Sequence, residues 1–133
     1  FNRFSTPDID IDKEKVVQAG ALSSPDEHLT ALRWVGLLSS RINCPIAASS
    51  GIHDSRQVIK MLLAGADAVQ IASAFYKNGK PYLKELLKGL ENWMDKKGYA
   101  SLGQFKGKLS LEKVANPAIY ERAQFLSHFG GYS

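Results

Sequence analysis

The chain has 133 residues, 44% of them hydrophobic and 23% charged, with a net charge of +4 and one cysteine. That is enough chain for one domain with a sizeable core and ordinary globular composition. No apolar run approaches the roughly 18 residues of a membrane span, and a lone Cys44 excludes an internal disulfide framework and fits a reducing cytoplasm. The lysines are scattered along helical stretches, which reads as solvated helix faces and not as a nucleic-acid patch.

In chain order, Phe1 to Phe4 reads as the tail of a buried strand, broken by Ser-Thr-Pro-Asp. Asn2 and Arg3 then fall at that strand's carboxyl end as candidate ligand contacts. Ile9, Ile11 and Val16-Val17 alternate with charged residues, predicting a short excursion or hairpin. Gln18-Ala-Gly-Ala-Leu22 is a loop of mostly small residues. Ser24-Pro-Asp-Glu27 is a helix start, with Ser24 as cap, Pro25 in the first turn and Glu27 closing a capping box. The amide groups of Ser23 and Ser24 are also placed to face a phosphate. Leu29, Leu32, Val35 or Gly36, and Leu38 then recur at helical spacing to about Arg41.

Cys44-Pro-Ile-Ala-Ala48 predicts a buried strand, Ser49-Ser-Gly-Ile52 its turn, and His53 or Asp54 the cap of a helix carrying Val58, Ile59, Leu62 and Leu63 inward. Gly51 allows close approach of the backbone to an anion, and Gly65 is a natural left-handed helix end. Asp67-Ala-Val-Gln-Ile71 and Ala72-Ser73-Ala74 repeat the strand-and-small-turn pattern. Two such units in tandem predict a phosphate site at the carboxyl ends of parallel strands in an α/β barrel. A long helix follows from Pro81 to Gly98, with Tyr82, Leu83, Leu86, Leu87, Leu90, Trp93 and Met94 on its apolar face. Ser101 to Gly107 reads as a short helical turn. Residues 109–129 read as a further helical stretch interrupted at Asn116-Pro117. His28, His53 and His128 lack metal-ligand spacing and read as surface or cap residues. No catalytic group and no metal site is assigned to the chain.

Ser49-Ser-Gly-Ile52, Leu63-Ala-Gly-Ala-Asp-Ala-Val-Gln-Ile71, Ala72-Ser73-Ala74 and above all Gly98-Tyr-Ala-Ser-Leu-Gly-Gln-Phe-Lys-Gly-Lys-Leu109 resemble the C-terminal half of soluble-class (class 1) dihydroorotate dehydrogenases. The resemblance implies an α/β fold: the C-terminal half of a (β/α)₈ TIM barrel over residues 1–109, with a C-terminal helical extension over 110–133. It implies FMN as cofactor and oxidation of dihydroorotate to orotate in pyrimidine biosynthesis. By matching position, the phosphate-cradling residues fall on Ser24, Ser50, Gly51, Ala72 and Ser73, and a substrate asparagine on Asn2. Serines and alanine partly replace the family's glycines and threonine, and Arg3 replaces a small hydroxyl residue. The resemblance places the proton-abstracting base in the first barrel half. The expectation is therefore an inactive fragment completed by that half, from the same or a separate chain, in a cytoplasmic homodimer without membrane or nucleic-acid partners. The alternatives are a different FMN barrel oxidoreductase, or a non-catalytic half-barrel scaffold.

Overall fold

The computed structural model describes residues 7–121. Asn2, Arg3, the strand expected at Phe1–Phe4, His128 and the extension beyond Glu121 lie outside them. β1 (Pro7–Asp10) and β2 (Lys15–Gln18) form the expected hairpin, antiparallel with Ile9 opposite Val16. Its turn is organised by Asp10, whose Oδ1 accepts from the Asp12 and Lys13 amides and whose Oδ2 pairs with Lys13 at 3.1 Å. The Lys13 amide and ammonium hold this carboxyl below its ordinary range.

Helix α1 (His28–Leu38) is entered through a 3₁₀ turn at Pro25–Glu27. The Ser24 amide donates to the Glu27 carboxylate at 2.9 Å, the reciprocal bond that the Ser-Pro-Asp-Glu pattern predicts. The inward face of α1 is shifted from expectation. Val35, Gly36 and Leu37 are buried, whereas Leu29 is 55% exposed. A neighbour accounts for the shift in the second half of α1: the Tyr120 ring lies so close to Gly36 that a Cβ there would stand 2.2 Å from it.

β3 (Ala47–Ala48) and β4 (Ala68–Val69) are parallel, Ala47 opposite Ala68. Bonds from the Asp67 and Gln70 amides to the Ile46 and Ala48 carbonyls extend the pairing. Between them runs α2 (Ser55–Ala64), capped as the sequence indicates: Asp54 accepts from the Gln57 amide at 2.8 Å, and Gly65 ends the helix at φ +115°. The core gathers Val35, Ala48, Ile52, Met61, Ala64 and Ala66. Met61, fully buried, is one of its two largest completely enclosed side chains. This is a mixed α/β arrangement with one β-strand–helix–β-strand crossover; residues 7–121 do not themselves close a barrel.

After β4 come α3 (Ser73–Asn78) and α4 (Tyr82–Lys97), the latter ending at left-handed Gly98. Of the apolar stripe expected on α4, Leu86 is buried while Leu83 and Leu87 stay exposed. α4 approaches α2 at Gly89, where a Cβ would meet the Ser55 hydroxyl at 2.3 Å. A short 3₁₀ turn at Leu102–Gln104 then delivers Phe105, fully buried, edge-on to Trp93 at 5.0 Å and against Tyr99 at 5.2 Å. From Leu109 to Glu121 the chain forms turns and one 3₁₀ segment, Pro117–Ile119, and no α-helix. None of the described helices is long and apolar enough to cross a membrane.

Candidate functional site

The carboxyl ends of the parallel pair open into the turn Ser49–Ile52 and the segment Gln70–Ala72 that leads into α3. Together with the loop Ala21–Ser23, these enclose a cleft of about 300 Å³. Ser50, Gly51, Ala72 and Ser73, four of the five residues matched to a phosphate cradle, all line it. Ser24, the fifth, does not; its amide is committed to the helix cap, and its neighbour Ser23 faces the cleft instead.

The turn has an uncommon backbone. Ser50 and Gly51 both take positive φ, +77° and +69°, and for serine that conformation costs on the order of 1 kcal/mol. Gly51 has a second constraint: a Cβ would lie 2.2 Å from the His28 nitrogen. The close approach that this glycine permits is therefore that of the α1 entry. The amides of Ser50 and Gly51 make no hydrogen bond to any described residue, so they remain available as donors.

Around the cleft a hydroxyl network joins three loops. Ser73 Oγ accepts from the Ser23 amide and shares a hydrogen bond with the Ser23 hydroxyl, each at 2.9 Å, and Ser23 Oγ lies 3.1 Å from His53 Nε2. Gln57, buried, holds the His53 loop in place: its Oε1 accepts from the His53 and Asp54 amides, and its amide donates to the Pro25 carbonyl. The Tyr82 hydroxyl donates to the His53 carbonyl at 2.9 Å.

The two described histidines, His28 and His53, differ from the surface-or-cap reading. His28 is buried, because α1 begins against α2; its Nδ1 donates to the Pro25 carbonyl and its Nε2 accepts from Lys60 at 3.2 Å. His53 is half-buried beside the cleft. Sequence reasoning missed the Ser23–Ser73–His53 association because its members stand 30 and 50 residues apart. It also missed Tyr76, an exposed aromatic at the cleft wall.

Chemically, the cleft offers donors without charge. No Asp, Glu, Lys or Arg lines it, so no carboxylate repels an anion and no lysine supplies a point charge. Small side chains, uncommitted amides and a serine hydroxyl are a donor set that fits a phosphate ester. The carboxylate with the lowered affinity for protons near the core lies at the other end of the strands. There Lys106, followed by the Ile46 amide, holds Asp67 below its ordinary range. Among the described residues no group of His, Cys, Asp or Glu is arranged to hold a metal, and Cys44 is exposed at the opening of β3, away from the cleft.

A family model described as dihydroorotate dehydrogenase matches residues 2–94. The chain is 34% identical over 109 residues to the catalytic subunit of dihydroorotate dehydrogenase B (NAD(+)) from Petrotoga mobilis, an alignment covering 80% of this chain and 36% of that protein. It is 41% identical over 82 residues to dihydroorotate dehydrogenase A (fumarate) of Lactococcus lactis, covering 60% of this chain and 26% of the relative. With dihydroorotate dehydrogenase (fumarate) of Lachancea kluyveri the identity is 37% over 83 residues, covering 61% and 26%. The chain thus spans between about a quarter and a third of the length of these curated relatives.

Proposed function

The chain belongs to the dihydroorotate dehydrogenase family, and on that basis we propose that it forms part of an FMN-dependent oxidoreductase acting on dihydroorotate, with the Ser50–Gly51 and Ala72–Ser73 turns holding the flavin phosphate. The observation that carries this reading is the convergence of those four residues on one uncharged, donor-lined cleft at the carboxyl ends of two parallel strands. That is the end at which α/β barrels bind their ligands.

In this reading the chain's own work is binding and orientation. The Ser50 and Gly51 amides, the start of α3 and the Ser73 hydroxyl donate to phosphate oxygens, replacing water that the phosphate gives up. The rigid β3–β4 pair and the Gln57 clamp keep those donors in position before the ligand arrives, which lowers the ordering cost of binding. When bound, the flavin supplies the hydride-accepting chemistry. The base that takes the second proton, and the rest of a (β/α)₈ barrel, belong in this proposal to residues outside these 133, on the same polypeptide or another chain. Asn2 is assigned to the substrate by family position alone.

The visible absorption of the purified full-length protein tests the reading. Oxidised-flavin bands that bleach on adding dihydroorotate are expected. A flavin that persists through that addition assigns another substrate, and a colourless protein that takes up no FMN overturns the proposal.

A further inference from the structure

Ser73 Oγ accepts from the Ser23 amide at 2.9 Å, which occupies one of its two lone pairs. The two hydroxyls stand 2.9 Å apart, and a hydroxyl has one proton to give, so either can donate to the other. Ser23 Oγ also lies 3.1 Å from His53 Nε2, and the tautomer of that ring selects the direction. With Nε2 protonated, the ring donates to Ser23, Ser23 gives its proton to Ser73, and Ser73 has only its own proton left to give. In that tautomer the chain of donors runs from His53 Nε2–H to Ser23, from Ser23 to Ser73, and from Ser73 outward.

The anchoring of this chain is asymmetric. Ser23 is buried at 7% exposure. The His53 backbone is gripped from two helices, by Gln57 of α2 and by the Tyr82 hydroxyl of α4. Ser23 and Ser73 line the cleft, whereas His53 does not. The ring thus acts on the cleft only through the serines.

We propose that His53 is a positioning residue for a phosphate-ester oxygen: it sets the direction of the two-serine relay so that Ser73 presents a proton to the ligand. The inference rests on the phosphate reading of the cleft given above. In the reverse direction, Ser73 would donate to Ser23 and Ser23 to a bare Nε2, leaving a lone pair aimed at the ligand and repelling an anion. His53 makes the site selective for an acceptor.

FMN and riboflavin differ by the phosphate alone, so their relative affinities for the flavin-stripped full-length protein, read by fluorescence quenching, isolate the effect. Wild type is expected to prefer FMN by about tenfold or more. His53→Leu is expected to weaken FMN binding about tenfold, the scale of one hydrogen bond to a charged group, with riboflavin unchanged. His53→Gln, whose side-chain amide can replace Nε2–H, restores most of the loss. An FMN preference that survives undiminished in His53→Leu overturns the role of His53 and leaves the phosphate reading standing. So does a parallel loss of both flavins, or a His53→Gln variant as weak as His53→Leu. A wild type without any FMN preference removes both ideas. Should the leucine variant not fold, ¹⁵N shifts of the wild-type imidazole decide: a protonated Nε2 in the FMN-loaded protein is expected, and a bare Nε2 with the proton on Nδ1 contradicts the relay.

Discussion

The two ends of the β3–β4 pair differ in charge and in how far their hydrogen-bond donors are committed. At the carboxyl end, the Ser50 and Gly51 amides have no partner among the described residues, and charged side chains are absent from the cleft. At the amino end, nearly everything is committed. Lys106 pairs with Asp67, and the Asp67 Oδ2 accepts from the Ile46 amide at 2.8 Å. The Ser39 hydroxyl donates to the Ala64 carbonyl. The Gly107, Leu109 and Leu111 amides donate to the Leu62, Leu63 and Gly36 carbonyls. Ser40 Oγ is an exception, buried without a hydrogen-bond partner among the described residues. One end leaves backbone donors without a partner among the described residues; the other spends its donors on the fold. The proposed function reads this as the division of labour that α/β barrels show between their two faces.

That division implies that stability and ligand affinity can be broken separately. Phe105→Ala removes a completely buried ring from the Trp93–Tyr99 cluster at the amino end. We expect a loss of about 3–5 kcal/mol in urea unfolding, with the ratio of FMN to riboflavin affinity unchanged in the fraction that remains folded. A shift in that ratio would join the two ends after all. Gly51→Ala acts at the carboxyl end itself, where the turn meets the α1 entry. The added methyl meets the His28 nitrogen and forces alanine to positive φ, for an expected cost of about 3 kcal/mol. Unlike Phe105→Ala, it should also reduce the FMN preference, because α1 and the turn must separate.

The smallest effect is electrostatic. Lys106 and the Ile46 amide lower the Asp67 pKa, so its contribution is present above the ordinary carboxyl value and is lost as pH falls below that value toward the lowered one. The pair is partly exposed, at 42% and 37% for the two side chains, so screening limits it to about 1 kcal/mol or less. Asp67→Asn should therefore flatten the acid limb of stability below the ordinary carboxyl value of 3.8 while leaving flavin binding untouched. An equal acid limb in the variant would show that other carboxylates control it.

What the sequence made legible was local. The Asp54 cap, the Gly65 and Gly98 stops, the Ser24–Glu27 box and the hairpin each depend on residues within a few positions of one another, and each is found where the pattern places it. The placing of Ser50, Gly51, Ala72 and Ser73 on one cleft was also readable, because a repeated strand-and-turn unit brings its turns to the same side. Three things were not readable. The inward face of α1 depends on Tyr120, far along the chain. The burial of His28 depends on the packing of α1 on α2. The relay from His53 to Ser73 depends on side chains from three loops, and no periodicity records such a meeting. Gly51 illustrates both outcomes: its need for a bare Cα was visible in the sequence, while the partner that demands it is α1.

The central claim, that the cleft end receives a flavin phosphate, is tested most directly by amide chemical shifts of the ¹⁵N-labelled full-length protein as FMN and then riboflavin are added. FMN should move the Ser50, Gly51, Ala72 and Ser73 amides strongly, riboflavin should move them little, and Gly107, Leu109 and Leu111 should stay in place with either. Equal responses to the two flavins at the four cleft residues, or the largest FMN response at the amino end, would contradict the account.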